Sequence, residues 1–296
     1  MHSETEIPEW LGLPKDDLLF LGEAGGFETA FIDEEETNED MPPEGLAPSA
    51  PNTGEILKAL STVIITDGPQ AFCEFVATHK EEVYRAAMFD EDVVRALLVG
   101  YKMGIHQKCG ACANDLGAMY YMGDLVEQDY RKAAELYELA IEWGCAQSII
   151  NMGYIYEYGR IGEPDYAKAY EYYSLAAALT RKSEALYKLG DMYSRGQSVE
   201  KNMSRAAQLW NSSLQEANGP QELAQPAIRL APLYLKGSEE ARIERDTMFA
   251  LRLYQTAEIG LRVDINEGLA YYKKRLDQAV EGQEKARRLL DETDCL

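Results

Sequence analysis

Apolar and aromatic positions in the second half of this chain recur at spacings of three and four, and the arrangement itself repeats. Leu116-Gly117-x-x-Tyr120-x-x-Gly123 returns as Met152-Gly153-x-x-Tyr156-x-x-Gly159 and as Leu189-Gly190-x-x-Tyr193-x-x-Gly196. A looser fourth copy reads Leu230-Ala231-x-x-Tyr234-x-x-Gly237. Each is followed by a second small-and-large stripe: Ala133, Tyr137 and Ala140, then Ala169, Tyr173 and Ala176, then Ala206 and Trp210, then Ala250, Tyr254 and Ala257. Two helical periods broken by a glycine predict a helix–turn–helix. The copies step by 36, 37 and 41 residues. A period of that size predicts stacked hairpins, each burying its apolar face only against its neighbours.

The punctuation agrees with the periodicity. Asp129, Asp165, Asn202 and Asp246 open the second stretch of each copy, and Asp and Asn are strong helix N-caps. The glycines at 123, 159, 196 and 237 suit the left-handed residue that ends a helix. A mid-helix glycine costs about 1 kcal/mol against alanine, so Gly117, Gly153 and Gly190 imply a partner backbone too close for a side chain. Pro232, just after the small residue of the fourth copy, predicts a distorted or shortened first helix there.

The phrase Leu-Gly-x-x-Tyr-x-x-Gly, a short loop, Asp-x-x-Lys-Ala, and then an aromatic and Ala resembles the Sel1-like repeat, a relative of the tetratricopeptide repeat. The resemblance covers about residues 109–260 in four copies: 109–144, 145–181, 182–219 and 220–260. It implies an all-α fold, an α-solenoid of antiparallel hairpins, and a concave face lined by the first helices. Projected onto this chain, that face includes Asn114 and Tyr121 from copy one, and Gln147, Tyr154, Glu157 and Tyr158 from copy two. Copy three supplies Glu184, Tyr187, Asp191 and Arg195. Tyrosine gives rigid contact area with a polar tip. Acids among the rings favour a basic protein or peptide partner. The signature tyrosines Tyr120, Tyr156 and Tyr193 are expected inside the hairpins.

The flanks differ from the repeats. Residues 56–108 carry helical spacing, with Asp67-Gly68-Pro69 a turn into a helix and Asp90 a cap for the next; they read as a degenerate repeat or N-terminal cap. Residues 261–296 read as an amphipathic capping helix with a charged far end. Residues 1–55 hold −14 of the chain's −22 charge. Acidic and poor in apolar mass, they read as a disordered, solubilising tail. The islands Trp10-Leu11 and Leu18-Leu19-Phe20-Leu21 give the alternative, a linear motif that folds onto a partner or onto the protein's own groove.

Charge and chemistry narrow the function. A pI near 4.6 leaves no basic stripe for phosphates, so neither nucleic acid nor an anionic membrane is an expected partner. The absence of a basic-plus-apolar leader and of a ~20-residue apolar run points to the cytoplasm. With three histidines and no phosphate loop or nucleophile motif, the chain reads as a non-enzyme needing no cofactor. The one chemical cluster is His106-x-x-Cys109-Gly-Ala-Cys112, with Cys145 at the position in copy two that Cys109 holds in copy one. Its cysteines read mainly as small packing residues. A zinc or thiol activity there is the alternative from another class, beside that of an inhibitor neutralising one cationic toxin or effector. The leading expectation is an adaptor or scaffold.

Overall fold

The computed structural model describes residues 7–25 and 52–294, and among them the regular structure is helical. The chain divides into two compact units, Met1–Ser148 and Ile149–Leu296. The first unit holds α1 (Lys15–Gly25), α2 (Thr53–Thr66), α3 (Gly68–Thr78), α4 (Lys80–Ala87), α5 (Glu91–His106), α6 (Gly110–Met122) and α7 (Tyr130–Glu142). The division falls inside α8 (Ala146–Glu157). The second unit continues with α9 (Tyr166–Thr180), α10 (Ser183–Arg195), α11 (Met203–Glu216), α12 (Pro220–Lys236), α13 (Thr247–Asn266) and α14 (Lys273–Asp294).

The repeat punctuation works as its chemistry requires. Asp129 accepts from the amides of Arg131 and Lys132 at 2.9 and 3.1 Å, and Asp165 from Lys168 at 3.0 Å. Asn202 and Asp246 each accept from the amide three residues on, at 2.8 Å. The closing glycines at 123, 159 and 196 have φ of 78°, 58° and 70°. The mid-helix glycines have a different cause from the one expected. What fills their space is a ring, not a backbone. A Cβ at Gly117 would meet the Tyr137 ring at 2.8 Å, and one at Gly190 would meet Trp210 Nε1 at 2.5 Å. Gly153 stands in the same relation to Tyr173. In the fourth copy Ala231 replaces the glycine, and the Tyr254 ring lies instead against Gly282 of α14. The terminal helix thus supplies the missing glycine.

Pro232 does not shorten its helix. Helix α12 runs 17 residues from Pro220 at its first turn, with Pro226 and Pro232 both inside it. Each interior proline removes one backbone hydrogen bond. Burial of Ala224, Pro226, Ala227, Leu230, Ala231 and Leu235 offsets the loss.

In the first unit the core joins Leu60, Phe72, Val83, Val93, Leu97 and Ile105 to Leu116 and Leu136 of the first hairpin. Asp90 caps α5 through the Asp92 amide at 2.9 Å. The apolar islands of the acidic tail fold onto this unit. A 3₁₀ turn at Glu9–Leu11 and helix α1 bury Leu11 and Leu21 fully. Trp10 donates to Glu135 at 2.9 Å and meets Tyr120 edge-on at 5.5 Å. Arg95 pairs with Asp17 at 2.8 Å and covers the Phe20 ring. A solubilising tail therefore does not describe residues 7–25. The run Asp33–Glu36 and the prolines from Pro42 to Pro51 lie outside the described residues. At the other end, α14 buries Ala279, Gln283 and Ala286. Its charged end carries exposed pairs such as Lys285–Glu281.

Candidate functional site

The second unit brings seven of the expected face residues into one polar network, but not as an open acidic row. Glu157, Tyr187 and Asp191 are buried, at 5, 7 and 3 % exposure. Tyr154 and Glu184 are half-buried, and only Tyr158 and Arg195 stand about half open. In the first unit Asn114, Tyr121 and Gln147 are half-buried. Asn114 accepts from Ser148 at 2.8 Å, and Tyr121 meets Tyr130 edge-on at 5.3 Å. The signature tyrosines also differ from expectation. Tyr120, Tyr156 and Tyr193 are half-buried, each set against an aromatic ring: Trp10, Tyr172 and Tyr170 in turn.

Two cations that the sequence reading passed over organise the network. Lys188 of α10 is 4 % exposed, and its ammonium lies 2.5 Å from Glu157 Oε2. It sits 4.7, 5.1 and 5.5 Å from the ring centres of Tyr154, Tyr158 and Tyr173. Three tyrosine faces and one carboxylate make an aromatic cage for a cation, and the chain's own lysine occupies it. The Tyr173 hydroxyl donates to the same Glu157 oxygen at 2.7 Å. Tyr154 donates to Glu184 at 2.6 Å and shares a 3.0 Å hydrogen bond with the Tyr187 hydroxyl. Burial, followed by the neighbouring Glu157 or Glu184, holds Tyr154, Tyr173 and Tyr187 well above the usual phenol range.

The second cation is Arg229 of α12. It forks onto Asp191, with Nη2 2.6 Å from Oδ2 and Nε on the other oxygen. Trp210 Nε1 donates to the same carboxylate at 3.1 Å, and Arg195 approaches to 3.7 Å. Burial works to raise the Asp191 pKa, but Arg229, Lys188 and Arg195 outweigh it and hold the carboxyl below its ordinary value. The guanidinium also covers the Tyr187 ring at 4.8 Å. Two of the acids expected to attract a ligand are thus neutralised from within. A sequence signal existed for Lys188. Two residues before the signature glycine, copies one and two have Asp115 and Asn151, where copy three has a lysine. Arg229 holds the same place in the fourth copy, two residues before Ala231, so the same contrast marks it.

The cysteine cluster assembles differently from its sequence reading. His106 is not part of it: its Nε2–H donates to the Leu11 carbonyl at 3.0 Å. Cys73 of α3 takes its place. The sulfurs of Cys73, Cys109 and Cys112 lie within 4.8 Å of one another, and Cys73 and Cys112 are 3.0 Å apart. Cys145 lies beside Gly110, adjacent in sequence to Cys109 but outside the triad. Burial raises the carboxyl of neighbouring Asp115 against hydrogen bonds from Asn114 and Cys73.

Among the described residues no helix is long and apolar enough to cross a membrane. No curated protein matches the chain. Among solved structures it is similar to a Sel1 repeat protein from Oxalobacter formigenes, at 24 % identity and a TM-score of 0.57 over 80 % of this chain and 96 % of that one. It is also similar to c5321, described as a protective antigen of uropathogenic Escherichia coli displaying an SLR fold. That match has 25 % identity and a TM-score of 0.49, over 78 % of this chain and 50 % of the other. The Sel1 repeat family model matches residues 110–144, 146–180, 183–217, 227–258 and 258–274. These segments span over half the chain and extend one partial repeat past the four copies read from the sequence, so the chain belongs to the Sel1 repeat family.

Proposed function

We propose that this protein is an adaptor whose second unit binds a basic protein partner through Tyr158, Tyr271, Glu184 and Arg195. Sel1 repeats generally mediate protein–protein interaction as scaffolds. The supporting observation is the filled cage. Lys188 and Glu157 pin the inner face of Tyr158, while its ring stays 50 % exposed. Tyr271 is 66 % exposed, and Tyr158 is close enough to act electrostatically on its hydroxyl. Rings fixed in place lose little entropy on binding, which raises affinity for a given contact area.

The partner's charge follows from the long-range field. Glu157 and Asp191 are paired internally, so they add little local attraction. Residues 149–296 hold 22 Asp+Glu against 20 Lys+Arg, so most of the chain's −22 lies in residues 1–148, and that charge steers a cationic protein toward the molecule as a whole. Salt should therefore slow association more than it speeds dissociation. Affinity capture with wild-type protein and with a Tyr158→Ala, Tyr271→Ala double variant tests this. The reading expects a basic protein held by wild type at low salt and lost by the double variant. Equal capture by the folded double variant would reject these contacts.

A further inference from the structure

We propose that Cys73, Cys109 and Cys112 form a three-thiolate site for zinc in the first unit. Cys73 comes from the middle of α3, while Cys109 is the N-cap residue of α6 and Cys112 lies in that helix's first turn. Thirty-six residues separate Cys73 from Cys109, so the fold and not local sequence brings the third sulfur in. Zn–S bonds of about 2.3 Å in a tetrahedron place sulfurs roughly 3.8 Å apart. Three sulfurs within 4.8 Å of one another are already at that scale. Cys73 and Cys112, at 3.0 Å, must separate by roughly 0.8 Å on that geometry.

Packing points the same way. Gly104 of α5 keeps the space in which the Cys112 sulfur sits, because a Cβ there would collide with Sγ and Cβ of Cys112. The sulfur is seated, with the Pro69 carbonyl 3.5 Å away. Asp115 lies one turn further along α6 and touches the Cys73 thiol. The Asp115 carboxylate at Cys73 and the Pro69 carbonyl at Cys112 set oxygen beside the sulfurs. Such surroundings favour a cation at the centre over a bare thiolate. A reactive redox thiol needs the opposite, an electropositive setting. Zinc binding would release the three thiol protons to solvent and leave three S–Zn bonds. It would tie α3 of the N-terminal cap to the first helix of the first repeat, a staple that stabilises the unit by mass action.

The test uses reduced, full-length protein and Co²⁺ as the probe. The proposal expects thiolate-to-cobalt charge-transfer absorption that saturates at one equivalent and is erased by added Zn²⁺. Zn²⁺ should also raise the Tm. Cys73→Ser should lose stoichiometric binding and the Tm response, and Cys145→Ser should keep both. Wild-type protein that develops no charge-transfer bands overturns the proposal without reference to whether any variant folds. So do unchanged bands in Cys73→Ser. A Cys73–Cys112 crosslinked peptide from protein prepared without reductant would overturn it in favour of a disulfide.

Discussion

Replacing Lys188 by methionine removes the cation from its cage while keeping most of the apolar stem. Glu157 then remains 5 % exposed without its 2.5 Å partner. Breaking a buried ion pair by removing one member costs about 3–5 kcal/mol, because the other charge stays desolvated. The Tyr173 hydroxyl, still 2.7 Å from the carboxylate, places the expected loss near the low end, about 3 kcal/mol. At roughly 2–4 °C per kcal/mol for a unit of this size, the second unit should melt about 6–12 °C lower. Adding Glu157→Gln to Lys188→Met removes the stranded charge and should return part of the loss. The double-mutant cycle should then show a coupling of about 2 kcal/mol. Urea unfolding followed by far-ultraviolet circular dichroism measures all four proteins. A Lys188→Met loss under about 1 kcal/mol, the scale of an exposed pair, would refute the claim that this pair is a buried, structural element.

Three further outcomes follow from the same geometry. Gly190→Ala sets a methyl 2.5 Å from Trp210 Nε1, so it should cost about 1–3 kcal/mol by overpacking in the same urea assay. Asp191 has a depressed pKa in the folded state. Its stabilisation is therefore fully present above the unfolded value of about 3.9 and lost as pH falls through the lower folded value. Stability curves below pH ~4 should steepen in wild type and flatten in Arg229→Gln. Trp10→Ala removes the Glu135 hydrogen bond and the Tyr120 edge contact. It should cost about 1–2 kcal/mol and speed amide exchange in residues 9–25; unchanged exchange there would show that this docking is not needed to order the segment.

The hairpins were legible because their signals are local. A cap, a positive-φ glycine and a stripe of small and large residues all act within a few turns. Their consequences at a distance were not. Nothing around Gly117 says whether a ring or a backbone fills its space; that depends on where Tyr137 points. Tyr254 finds its glycine in α14, 28 residues on, because Ala231 closes the local option. The candidate face was legible as residue types but not as accessibility. A tyrosine or acid at a first-helix position looks alike whether it faces solvent or a buried lysine. The pairing of Glu157 with Lys188 spans two repeats, and that of Asp191 with Arg229 spans the next two. Cys73 was missed for the same reason, since its sulfur meets Cys112 only through the packing of α3 on α6. The docking of Trp10 and Leu11 was open to view as apolar islands in an acidic tail, but the surface that receives them is tertiary.

The adaptor reading depends on where the partner touches the second unit, and site-specific photo-crosslinking measures that directly. A photoreactive phenylalanine would replace Tyr158 or Tyr271 in one set, and Leu179, exposed on α9, in another. The account predicts that one basic protein crosslinks at positions 158 and 271, more slowly at high salt, and does not crosslink at 179. Crosslinks at 179 alone, with wild-type affinity retained when Tyr158 and Tyr271 are alanine, would contradict it.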